Sequence, residues 1–202
     1  MAVIDWPASY LPQTAQIALQ RSVRQFRSPH NGSLQAVGYM AERWQLSFVL
    51  PPRPIGAGGA IEALLFQLTG GVDRVRCWHF GRPQPAGTLR GSPVVATGAV
   101  RGDTTLAITT TAGATVKAGD MLAVALAAGG TQLIQMAADG MANGSGALTL
   151  ALVTHIRNTV NVGAAITWNR PTAEFVMPAS RAAASYRPGV QEGAVFELDE
   201  AY

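Results

Sequence analysis

Trp44-Gln45-Leu46-Ser47-Phe48-Val49-Leu50, closed by Pro51-Pro52-Arg53-Pro54, and then Ile61-Glu62-Ala63-Leu64-Leu65-Phe66-Gln67-Leu68, closed by Gly70-Gly71, form the stretch around which the chain is organised. Trp44, Leu46, Phe48 and Leu50 fall on every second position, with Gln45 and Ser47 on the other side; that period marks a strand with one buried face. The prolines end it, because each lacks an N–H for a ladder and restricts the residue before it. Ile61, Leu64, Leu65 and Leu68 then follow the i, i+3, i+4, i+7 spacing of one helix face. Gly70 and Gly71 suit a left-handed cap, so the spacing predicts a helix of about three turns. Burial of its four aliphatic side chains stabilises it by roughly 6–12 kcal/mol before ordering costs. Beyond the glycines, Val72 to Phe80 reads as a second strand, with Arg74, Arg76, Trp78 and Phe80 on one face and Val75, Cys77 and His79 on the other.

With 202 residues the chain accommodates one large domain or two small ones. It has no apolar run long enough to span a membrane. Asp5 and Pro7 near the start, with no basic segment before an apolar core, do not read as a signal peptide. The single cysteine, Cys77, excludes an internal disulfide and a multi-cysteine zinc site, and fits a reducing place of synthesis. Charged residues make up only 13 % of the chain, against about 25 % in a typical soluble domain. A monomer of this mass exposes about 9,000 Å², which so few charges cover thinly. The expectation is that other subunits cover part of it; a neutral Ser, Thr, Gln and Gly surface is the alternative. The net charge is +3, and every basic residue except Lys117 is arginine, which tolerates interfaces better than lysine. No basic run alternates with aromatics, so no nucleic-acid contact is expected.

Residues 1–13 carry Trp6, Pro7, Tyr10 and Pro12, an extended arm that packs on its own domain or reaches a neighbour. Ala15, Ile17 and Leu19 alternate with Gln16, Ala18 and Gln20 in a strand continuing through Val23, and Arg21, Arg24 and Arg27 cluster near its end around Phe26. Ser28-Pro29-His30-Asn31-Gly32 is a turn with a strong hairpin signal, so Leu34 to Tyr39 pairs back. After Phe80, a Gly- and Pro-rich segment, 81–93, reads as a linker. From 94 to 168 charge nearly disappears and short β-prone runs alternate with glycine turns: Val94-Val95, Thr104 to Thr111, Met121 to Leu126, Leu133 to Ala137, Ala147 to Val153, and Ala165 to Trp168. This is the pattern of a small barrel or sandwich. Phe175 to Met177 and Ala194 to Leu198 are strand-like and are expected to rejoin the first domain. The expected fold class is therefore mainly β with one short helix: an α+β N-terminal domain of residues 1–85 plus 170–202, and a small all-β barrel or sandwich inserted at 93–168.

No residue is assigned to catalysis, to a cofactor or to a metal. Gly56-Ala57-Gly58-Gly59-Ala60 lacks the Lys-Ser/Thr of a phosphate loop and the last glycine of a dinucleotide fingerprint, and reads as a flexible start to the helix. Arg101-Gly102-Asp103 matches an adhesion tripeptide but falls where a hairpin turn is expected. His30, His79 and His155 are dispersed, without ligand spacing. Cys77 has no orienting carboxylate in sequence and reads as a buried structural thiol. Asp103, Asp120 and Asp139 sit at glycine turns, where aspartate serves backbone geometry. Arg74 and Arg76 are placed to pair with Glu197, Asp199 and Glu200, or to remain solvated.

Phe26-Arg27-Ser28-Pro29, Gln35, Arg43-Trp44 leading to Leu50-Pro51-Pro52, the Ile-Glu-Ala-Leu-Leu helix and Arg74-Val75-Arg76-Cys77-Trp78-His79 together resemble minor tail proteins of tailed bacteriophages and prophages, in particular distal tail proteins of the tail tip or baseplate. The resemblance is clearest over residues 1–85. In the insertion, Lys117-Ala118-Gly119-Asp120, Ala138-Asp139-Gly140 and Ala147-Leu148-Thr149-Leu150 look like the Gly-Asp strand pattern of small β-domains in phage structural proteins. The resemblance implies a non-enzymatic virion protein made in the host cytoplasm, forming a ring, six-membered in the family pattern, between the tail tube protein and hub or fibre proteins. Trp6, Tyr10, Arg24, Phe26, Arg27, Arg74 and Arg76 are the candidate assembly contacts, since aromatics and arginines anchor such interfaces. The alternative is a receptor- or carbohydrate-binding β-module, against which stands the lack of any Trp, Tyr or Phe from Val94 to Ile166.

Overall fold

The computed structural model describes residues 2–201. The chain is mainly β, with one helix among the described residues. From the N-terminus come β1 (Val3–Asp5), β2 (Thr14–Arg27), β3 (Leu34–Val49), β4 (Arg53–Pro54), α1 (Ile55–Leu68) and β5 (Arg74–Trp78). Eight short strands follow: β6 (Val94–Val95), β7 (Thr105–Thr109), β8 (Thr115–Val116), β9 (Met121–Ala125), β10 (Thr131–Gln135), β11 (Gly140–Met141), β12 (Ala147–Ala151) and β13 (Ile166–Thr167). The chain finishes with β14 (Thr172–Val176), β15 (Tyr186–Arg187), β16 (Val190–Gln191) and β17 (Val195–Glu200).

A six-stranded sheet has the order β1-β5-β14-β17-β3-β2. Only the β1–β5 pair is parallel. Trp44, Leu46 and Phe48 on β3, and Phe196 and Leu198 on β17, point to the buried side, as the alternation requires. There they meet Ile61, Leu64, Leu65 and Leu68 of α1. Phe48 stacks on Phe196 with ring centroids 5.1 Å apart, and Phe80 closes edge-on at 5.0 Å. The strand expected over Val72 to Phe80 is shorter, because Gly70 and Gly71 both take positive φ and turn the chain before it extends.

Helix α1 starts at Ile55 and includes the glycine run that the sequence suggested was a flexible start. Gly58 is buried, and a Cβ there would lie 1.5 Å from the Gln191 side-chain oxygen; the absent side chain lets β16 close over the helix.

The insertion has its own core, formed by Leu89, Leu106, Ile108, Leu122, Val124, Ile134, Leu150 and neighbours. Two three-stranded sheets, β12-β7-β6 and β10-β9-β13, face each other. Bridges Val94↔Ala165 and Met136↔Leu152 join them along both sides, so the pairing runs round a small barrel and leaves few open edges. The segment 81–93 is no loose linker. The buried carboxylate of Asp120 accepts hydrogen bonds from the N–H groups of Ala86, Gly87 and Lys117, and Leu89 is fully buried. The barrel also leans on the first core: Met121 and Leu133 join that cluster, and the Trp44 indole N–H donates to the Leu133 carbonyl at 3.1 Å.

Candidate assembly surface

β2 and β3 are longer than the sequence suggested. The segments read as separate strands at Leu34 to Tyr39 and Trp44 to Leu50 are one strand, β3, paired with β2 from Thr14↔Val49 to Arg27↔Leu34. The ladder is interrupted once, between Gln20 and Ser22, where the two strands fall out of step. Beyond that irregularity the hairpin leaves the body as an arm. Ser22 to Arg27 and Leu34 to Tyr39 are exposed on both faces, including Val23, Phe26, Leu34, Val37 and Tyr39. The accessible surface is 10461 Å², above the roughly 9,000 Å² of a compact monomer of this mass; a projecting ribbon accounts for an excess of that sign.

The root of the arm is fastened. Glu42 is buried, pairs with Arg21 at 3.2 Å, and accepts from the His155 backbone N–H at 2.9 Å, with the His155 Nδ1 3.1 Å away. Arg21 in turn donates to the Val153 carbonyl at 2.8 Å. Behind this lies the buried Glu200, which takes the Trp44 backbone N–H at 2.9 Å and pairs with Arg157. Burial pushes the Glu200 carboxyl above its ordinary value despite that guanidinium.

The structure divides the seven residues singled out from sequence. Arg24, Phe26 and Arg27 are together on the arm and exposed. Trp6 is not available to a neighbour: it is 3 % exposed, its ring meets Phe48 edge-on at 4.8 Å, and its indole N–H donates to the Tyr10 carbonyl. The prolines that forbid a helix there fold the N-terminal segment back onto its own core. Tyr10 is half-buried beneath the Arg53 guanidinium, 4.8 Å from the ring centroid. Arg74 and Arg76 pair with Glu174 at 3.0 and 3.6 Å, and Arg76 also with Asp5 at 3.6 Å, not with the C-terminal acids. The β5–β14 register sets Glu174 opposite Arg76. Sequence reading missed Val37, Tyr39 and Glu42. That Leu34 to Tyr39 pairs back was legible from the Asn31-Gly32 turn, but not that both of its faces stay open.

The remaining chemistry-bearing residues are structural. Cys77 is fully buried and desolvation pushes its thiol far up, away from the reactive thiolate. Burial lowers the half-buried His79. Among the described residues no group of three or more His, Cys, Asp or Glu could hold a metal, and no helix is long and apolar enough to cross a membrane. A cleft of about 380 Å³ between the sheet and the barrel is lined by Arg74, Gln132, Arg157 and Glu174, whose two guanidiniums are engaged by Glu174 and Glu200. No protein-family model matches the chain, and no curated protein matches it.

Proposed function

We propose that the protein is a structural component of a phage tail tip or baseplate, assembling with copies of itself into a ring that joins the tail tube protein to hub or fibre proteins. One observation carries the reading: a two-stranded arm with Arg24, Phe26, Arg27, Val37 and Tyr39 exposed, projecting from a body whose core is complete without it. An isolated hairpin is marginal in water, so an arm open on both faces is built to be covered. Sparse charge and arginine-for-lysine usage support the same reading, as does the family resemblance of residues 1–85.

The test is the mass of the purified protein by light scattering, beside a variant in which Ser22 to Tyr39 are replaced by a two-residue Asn-Gly turn. The full chain is expected to form a ring-sized species and the shortened chain to remain monomeric. A full chain that stays monomeric at every concentration would refute self-assembly. Removing residues 1–13 would be uninformative, because Trp6 belongs to the core.

A further inference from the structure

We propose that the arm of one copy docks on the outer face of the six-stranded sheet of a second copy, with Arg24 seated between Glu197 and Asp199. This rests on the self-assembly reading and names the surface that receives the arm.

The arm has two unlike faces, since cross-strand partners share a side. One carries Val23, Gln25 and Arg27 opposite Gly38, Ala36 and Leu34. Met40, two positions beyond Gly38, lies over Gly102 of the insertion, so the root of this face touches its own barrel while the rest of it stays exposed. The other carries Ser22, Arg24 and Phe26 opposite Tyr39, Val37 and Gln35, and none of the described residues covers it.

Charge singles out the receiving surface. Between Gln20 and Arg43 the hairpin holds four arginines and one glutamate, a net +3 with histidine neutral, which equals the net charge of the whole chain. Arg21 is committed to Glu42 and Arg43 is likewise not free, whereas among the described residues neither Arg24 nor Arg27 has an ion-pair partner, and of these two only Arg24 lies on the second face. The outer sheet face has the opposite surplus. Arg74 and Arg76 are taken by Glu174 and Asp5, which leaves Glu197 and Asp199 without a cation among the described residues; Asp199 accepts only the Gln45 side-chain amide, at 3.0 Å. These two alternate with the buried Phe196, Leu198 and Glu200, so both point outward, about 7 Å apart. That spacing suits one guanidinium fork. Val195, half exposed, and Val49 continue the face with apolar surface that Phe26 and Tyr39 match. Arm and face are different patches, so the contact runs head to tail and closes a ring where the rotation allows. A single uncommitted guanidinium on this face is too little for a nucleic-acid backbone.

The experiment uses two charge reversals in the full chain, Arg24→Glu and the double change Glu197→Arg with Asp199→Arg, with far-UV circular dichroism to check folding. Each alone is expected to weaken association at least about tenfold, by setting like charges together. Mixed one to one they are expected to assemble again, because each arm then finds an opposite charge on the other variant. Arg181→Glu, an exposed charge reversal outside both the arm and the six-stranded sheet, is expected to stay within about twofold of the parent. Assembly of the parent with no loss in either reversal, or no recovery on mixing, would overturn this contact while leaving self-assembly intact. A monomeric parent would overturn both, and arm-dependent binding of that monomer to anionic phospholipid vesicles would assign the arm to a lipid surface instead.

Discussion

The lower and upper halves of the β2–β3 hairpin are one ladder with opposite fates. Below the irregularity at Gln20/Ser22, Ile17 and Leu19 pair with Leu46 and Trp44, whose side chains are buried against α1 and β17. Above it, Phe26 is 56 % exposed and Tyr39 48 %, in strands with identical hydrogen bonding. Backbone pairing is thus indifferent to burial. The difference teaches that strand length here is set by the ladder, while stability is set by the part that has a core beneath it.

Truncating the same residue type at both ends gives the sharpest contrast. Phe48→Ala empties a site packed by Trp6, Phe80 and Phe196, and is expected to cost about 3–5 kcal/mol in chemical denaturation. Phe26→Ala is expected to stay within about 0.5 kcal/mol. A large loss from Phe26→Ala in the monomer would mean that the arm packs on its own body.

The root between the halves gives an intermediate effect with a pH signature. Because burial holds the folded Glu200 carboxyl above its ordinary value of 4.5, the folded state keeps a proton that the unfolded chain has already released. Stability from this group is therefore full below pH 4.5 and is lost as pH rises toward the folded value. Glu200→Gln is expected to remove that downward slope, measured as thermal midpoint against pH; a slope unchanged in the variant would assign it elsewhere. A comparably small effect is expected from replacing Ser22 to Tyr39 by a tight turn, which should leave the thermal midpoint of the monomer within about two degrees.

Much of this was legible in the chain. Period two in Trp44 to Leu50 and the Ile61, Leu64, Leu65, Leu68 stripe declared their buried faces, and both are in the core. The arm was half legible: Asn31-Gly32 marked its turn, but periodicity reports one buried face and falls silent where neither is buried. The place of Trp6 stayed open between its own domain and a neighbour because proline-rich segments carry no period, and its site is completed by Phe196, far along the chain. The partners of Arg74 and Arg76 depended on the β5–β14 register, which no local spacing encodes.

That register has a kinetic side. Trp78, the last residue of β5, pairs with Thr172, the first of β14, so residues 79–171 stand where a hairpin turn would. The closed barrel returns the chain close to where it left, and Asp120 clamps the outgoing segment to it. Once the barrel has folded, β5 and β14 meet as neighbours across a short gap, and the loop-closure entropy of a long excursion no longer opposes them. The order of events then favours the insertion first and the sheet second, with the barrel acting as a template for the sheet that surrounds it in sequence.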